Sequence, residues 1–195
     1  MNILKLSLIA SLFASMAMTA EAKSGVDYVD PFIGTTNFSV CNPGAVRPHG
    51  LMSVVPFNVM GSDLNKEDKD KRWWSAPYEY HNKYFTGFAH VTLSGVGCPE
   101  LGTLLTMPTT GELNVDYRSY GSEYRNEQAR PGYYSNELTK YGIRCEVSST
   151  MRSSIERFTF PKGQGNLLFN LGNGLTNEIG ATLRRVSALR ACEPE

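Results

Sequence analysis

The chain carries no excess of charge: 19 Lys and Arg balance 19 Asp and Glu over 195 residues. Nucleic acid and anionic membranes call for a basic surface, so neither is an expected partner. There is no C-x-x-C pair, which excludes a structural zinc or thioredoxin-type site. H-E-x-x-H is missing as well, and the three histidines, His49, His81 and His90, show no i, i+4 pairing. No apolar run is long enough to span a membrane. Helical periodicity is nearly missing before residue 176, and no repeat or low-complexity stretch interrupts the chain. Hydrophobic residues at 41% against 19% charged describe a globular protein that needs no metal or disulfide to fold.

The N-terminus reads as an address. Lys5 precedes a short apolar run over 6–17, and Ala20-Glu21-Ala22 gives the small-x-small pattern of signal-peptide cleavage. Cleavage after Ala22 is expected, placing the protein in the periplasm or outside the cell. Four cysteines follow, Cys41, Cys98, Cys145 and Cys192, too widely spaced for a small stapled scaffold. Mostly free, partly buried thiols are expected, with one bridge as the alternative.

From Leu51 onward short β-branched and aromatic runs are punctuated by Gly and Pro. Strands are predicted over 51–59, 86–93, 103–108, 133–140, 143–151, 155–160 and 166–171. Ile143, Cys145 and Val147 alternate with polar neighbours, the period of a strand with one wet face. Tyr141-Gly142 suits a hairpin turn. After Ser153-Ser154 the apolar parity changes, which suggests a bulge or break. Antiparallel strands at this spacing favour an all-β antiparallel sandwich.

Most local site signals dissolve on inspection. Asp63, Asn65 and Glu67 have the alternate spacing of a calcium loop, but Asp68 and Trp74 occupy its glycine and glutamate positions. The 63–72 stretch is therefore read as a solvated loop. Gly95-Val96-Gly97 lacks the third glycine of a dinucleotide loop. Asn37-Phe38-Ser39 matches a glycosylation acceptor, relevant only in a eukaryotic secretory pathway. Glu79, Glu100 and Glu112 are candidate acids that spacing alone does not pair. Trp73-Trp74 is the most informative feature: neighbours on a strand face opposite sides, so one ring is free to stack on a sugar, with two packing residues as the alternative. Loop-borne His49, beside Arg47, is the best functional histidine.

Several blocks resemble a known family. DYVDPFIGT at 27–35, CNPGAVRPHG at 41–50, RWWS at 72–75, GFAHVTLSG at 87–95 and GCPELG at 97–102 occur in the order found in glycoside hydrolase family 92. These are calcium-dependent exo-acting α-mannosidases, and 133–160 resembles the strand pair that follows. The resemblance covers their N-terminal β-sandwich only. It implies that the catalytic acid, the base and most calcium ligands belong to a following (α/α)6 domain, so no catalytic or metal-ligating residue is assigned here. The implied role is a contributing wall of a pocket for α-mannosides, as in N-glycans or mannan. The implied substrate-binding residues are Gly34, Thr35, Arg47, His49, Trp73, Trp74 and His90.

The expected organisation is a signal peptide over 1–22, a sandwich over 23–186 and an atypical tail over 187–195 that reads as a truncation or frame change. Such a chain is expected to be inactive by itself. A stand-alone carbohydrate-binding sandwich without catalysis is the alternative.

Overall fold

The computed structural model describes residues 23–36, 40–59, 76–95, 101–172 and 174. A 3₁₀ turn at Gly25–Tyr28 precedes ten strands: β1 (Ala45–Val46), β2 (Ser53–Phe57), β3 (Tyr84–Phe85), β4 (Gly87–Thr92), β5 (Leu101–Thr110), β6 (Ser122–Arg130), β7 (Tyr133–Leu138), β8 (Ile143–Ser149), β9 (Ser154–Thr159) and β10 (Gly165–Asn170). One four-residue helix, α1 (Tyr117–Tyr120), lies between β5 and β6, capped by the Asp116 carboxylate on the Arg118 amide. The strands form two five-stranded sheets, β1-β2-β4-β5-β10 and β3-β6-β7-β8-β9. Every strand pair is antiparallel. The expected sandwich is what the chain forms.

The core lies between the sheets. Phe88 on β4 is fully buried and meets Phe85, Tyr134 and Phe158 with ring centroids 4.9, 6.0 and 6.2 Å away. Ala89, its neighbour, turns to the other face of the first sheet and joins Phe57, Val59 and Leu105, partly covered by Tyr117. The first sheet is thus buried on both faces where β2 crosses it. That is why Ser53–Phe57 reads as a continuous run rather than an alternation, with all five residues buried.

Each predicted strand has its counterpart within one or two residues at most ends. The parity change after residue 153 marks a break between strands rather than a bulge. Thr150 to Ser153 form a hairpin turn, with the Thr150 amide on the Ser153 carbonyl at 2.7 Å. Ser149 then pairs with Ser154, so odd positions on β8 and even positions on β9 share a face. Cys145 is a buried thiol without a disulfide, and burial pushes its pKa far up. Cys98 and Cys192, and the stretches expected to be a signal peptide (1–22), a glycosylation acceptor (37–39), a solvated loop (63–72) and an atypical tail (187–195), lie outside the described residues.

A polar staple fastens the irregular 76–82 segment to the end of β2. Asn58 is fully buried just past Phe57. Its amide group donates to the carbonyls of Glu79 and Asn82 at 2.8 and 2.7 Å, and its side-chain oxygen accepts from the Glu79 amide at 2.8 Å. Its backbone amide donates to Pro77 at 2.9 Å, while the Asn82 side chain returns a bond to the Asn58 carbonyl. The Tyr124 hydroxyl, from the second sheet, donates to Asn82 at 2.9 Å. Asn58→Leu strands several of these groups without water, each loss costing about 1–3 kcal/mol. Urea unfolding of this variant is expected to show a loss of about 3 kcal/mol or more; a loss within experimental error would remove the staple from the stability of the fold.

Candidate functional site

The 30–35 loop is built from consecutive turns. The Asp30 carboxylate accepts the Phe32 amide at 2.9 Å, and the Asp30 carbonyl accepts Ile33 at 3.3 Å. Thr35 is fully buried, its hydroxyl bonded to the Phe32 carbonyl at 2.7 Å. Its own carbonyl accepts the Tyr80 amide at 2.9 Å. Gly34 takes φ +76, and a Cβ there would sit 3.1 Å from Cys41 Sγ. Gly44 is tighter still, since a Cβ would lie 2.5 Å from Val55 Cγ2 and 2.7 Å from the Val54 carbonyl oxygen. These spacings hold the loop backbones in place.

Arg47, Pro48, His49 and Gly50 form a β-turn closed by the Gly50 amide on the Arg47 carbonyl at 2.8 Å. His49 adopts φ 60, a left-handed conformation that costs a branched or bulky residue about 1 kcal/mol or more. Both Arg47 and His49 are exposed, and neither side chain has an ion pair or hydrogen bond among the described residues. The stem of Arg47 runs beside Gly132, in the β6–β7 turn. Two cationic or polar heads are thereby presented on a turn whose backbone is fixed.

His90 is placed differently. It sits between the sheets rather than on a loop, with about 13% of its side chain exposed. Nδ1 donates to the Leu104 carbonyl at 2.7 Å, and Nε2 bonds to Glu156 on β9. The other Glu156 oxygen accepts the Thr106 hydroxyl at 2.7 Å. Burial lowers the His90 pKa, but the hydrogen bond and charge of Glu156 outweigh it and leave the value raised. Both ring nitrogens are occupied, so His90 bridges two sheets.

The residues predicted from sequence therefore fall into separate groups. Val46 pairs with Ser53, putting the Arg47–Gly50 turn at the start of β2. Thr35 is tied to Tyr80, in the segment stapled to Asn58 beyond the other end of β2. Trp73 and Trp74 lie outside the described residues. Of the candidate acids, Glu79 is buried and accepts the His81 amide at 2.9 Å, Glu112 is exposed after β5, and Glu100 lies outside the described residues. Among the described residues no three His, Cys, Asp or Glu side chains converge to hold a metal. No helix among them is long and apolar enough to cross a membrane. Sequence reading missed one more assembly, the cleft between Phe32, Tyr80 and Glu127, because its acid lies in the polar SEYRNEQAR strand.

The His90 bridge makes stability depend on pH with a definite sign. A histidine whose folded pKa exceeds its unfolded value of 6.5 contributes fully below 6.5, and the contribution is lost as pH rises through the folded pKa. Unfolding free energy compared between wild type and His90→Gln should show this alkaline loss in wild type only. Equal pH slopes above 6.5 would dismiss the bridge as a titrating element.

Comparison with known proteins fixes the setting of these groups. A profile of the glycosyl hydrolase family 92 N-terminal domain matches residues 28–191. Among solved structures, a family 92 alpha-mannosidase from Bacteroides thetaiotaomicron is similar at 31% identity and a TM-score of 0.67, over 77% of this chain and 20% of its own. The same enzyme in complex with mannoimidazole is similar at 34% identity and a TM-score of 0.61, over 70% of this chain and 18% of its own. The family 92 glycosyl hydrolase ccman5 is similar at 27% identity and a TM-score of 0.62, over 77% of this chain and 21% of its own. No curated protein matches the chain. The chain spans about a fifth of the length of these solved relatives. With the family profile running through the whole described sandwich, the chain belongs to glycoside hydrolase family 92, as an N-terminal domain of that mannosidase family.

Proposed function

We propose that this chain supplies the sandwich portion of an exported α-mannosidase that hydrolyses terminal α-mannosidic bonds with inversion. The single observation that carries the reading is the family profile across 28–191. The relative solved with mannoimidazole supports mannosides as the ligand class. The organisation that goes with this reading is a signal peptide over 1–22, the sandwich over 23–186 and the tail over 187–195.

Inversion requires one carboxylic acid to protonate the leaving oxygen while a second carboxylate activates water on the opposite face, roughly 6.5–9.5 Å away. The reading assigns both, with most calcium ligands, to the (α/α)6 domain of the family. What this chain offers is grip: Arg47 and His49 from their fixed turn, the backbone of Gly34 and Thr35, and one ring of Trp73 or Trp74. His90 fits a supporting role, since it holds β4 against the second sheet. The reading derives no step through calcium from this chain's residues, since no three His, Cys, Asp or Glu side chains converge among the described ones.

The isolated chain is expected to release no mannose from an α-linked disaccharide; release above a mock preparation would overturn its dependence on a second domain. Joined to an (α/α)6 domain of the family, it should become active. In that protein Arg47→Ala and His49→Ala should each lower kcat/KM by about tenfold or more. Unchanged values in both would take the turn out of the pocket. N-terminal sequencing of the exported protein should begin at Lys23.

A further inference from the structure

β6 carries a bulge that changes which way its side chains face. Arg125 pairs with Glu137 and Gln128 with Ser135, so Asn126 and Glu127 together oppose Asn136 alone. Asn126 accommodates the extra residue at φ 52. Ahead of the bulge Tyr124 faces inward and Arg125 outward; after it Glu127 and Ala129 take the inward side. An unbroken strand would leave Glu127 in solvent beside Arg125. Bulges that re-aim a side chain in this way concentrate at functional sites.

The re-aimed carboxylate has 10% of its side chain exposed and borders an open cleft of about 270 Å³. The rings of Phe32, Tyr80 and Tyr124 line the cleft together with Lys83 and Asn126. From behind, the Tyr134 hydroxyl donates to Glu127 Oε1 at 2.7 Å. Lys83 Nζ lies 3.4 Å from Oε2, above the Tyr80 and Tyr124 rings at 4.7 and 5.3 Å from their centroids. The Tyr78 hydroxyl, buried nearby, meets hydrogen-bond geometry with no group among the described residues. Burial, then the nearby Tyr124 and Glu127 with their long hydrogen-bonding approach to the hydroxyl, push its pKa far up, so it keeps its proton.

The mixture of charges selects the ligand. A cation entering the cleft meets Lys83 and Arg125; an anion meets Glu127. A neutral polyhydroxyl ring uses both, donating to Glu127 Oε2 and accepting from Lys83 while its C–H face lies on Tyr80 or Phe32. The volume is just below the ~300 Å³ at which drug-sized sites begin, room for one ring. We propose that the cleft between Phe32, Tyr80 and Glu127 is a binding site for a single neutral pyranoside, oriented by Glu127 and Lys83. The proposal rests on the cleft alone and holds whether or not the Arg47 turn grips substrate.

The test is an aromatic NMR titration of the full chain with methyl α-mannoside and, separately, methyl β-glucoside. Saturable shifts of the Phe32 and Tyr80 ring signals with either sugar are expected, at affinities on the order of millimolar. Tyr80→Ala and Glu127→Gln should each weaken binding by about tenfold or more, whereas Arg47→Ala, on the turn at the far end of β2, should leave these shifts unchanged. Thermal melting checks that the variants fold; if Glu127→Gln does not, Tyr80→Ala, at the exposed rim, decides alone. No saturable shift with either sugar, or equal affinity in Tyr80→Ala, would overturn the proposal. So would tighter binding of choline or sulfate at the same rings.

Discussion

The structure depends on one buried amide. Residues 76–79 are buried without belonging to a strand, so their backbone groups have neither a sheet ladder nor water to satisfy them. Asn58 provides the substitute, acting as a piece of β-ladder folded into a side chain. From that segment hang Tyr78, Tyr80 and Lys83, and the Tyr80 amide in turn holds Thr35. The 30–35 loop and the Glu127 cleft are therefore both anchored through a contact that belongs to neither. Tyr124 extends the same network across to the second sheet, so the staple also fixes how the two layers meet at this end.

The second inter-layer contact, His90 with Glu156 and Thr106, obeys a different economy. Two groups that ionise are withdrawn from water, and the attraction between them has to offset that desolvation before any stability is gained. The geometry is tightly specified, with both imidazole nitrogens and both carboxylate oxygens engaged. Such a contact defines register between β4 and β9 more than it deepens the fold. An apolar pair would tolerate sliding, whereas these four atoms do not.

Much of this architecture was legible in the sequence. Alternation along β8, the β-branched and aromatic runs, and the Gly and Pro punctuation between them located seven strands. β6 escaped because its outward and bulged positions are charged or amide residues, and the inward ones, Tyr124, Glu127 and Ala129, lie at uneven spacing. β1 and β3 are two residues each, too short for any periodicity. The change of parity at 150–153 left a bulge and a break between strands equally open, because it is common to both, and the hairpin turn is the break. For the site, sequence blocks pointed to the loops that the fold does fix in place, at Gly34 and at the Arg47 turn. They did not tell that His90 lies between layers, since a histidine in a strand looks the same whether its partner is a ligand or a glutamate. Likewise, nothing local announces that Glu127 turns inward; that follows from pairing two residues against one.

The close approach at Gly44 has a practical meaning for anyone rewriting this loop. With β2 pressed against the glycine from below, even a methyl group has nowhere to go. Position 44 is thus closed to variation, while positions 47 and 49, a few residues further on, point their side chains outward, and position 49 asks only for a residue that tolerates a left-handed backbone. A library that diversifies the turn and spares the glycine would explore new recognition chemistry on an unchanged frame, whereas one that randomises the whole stretch would mostly sample misfolded chains.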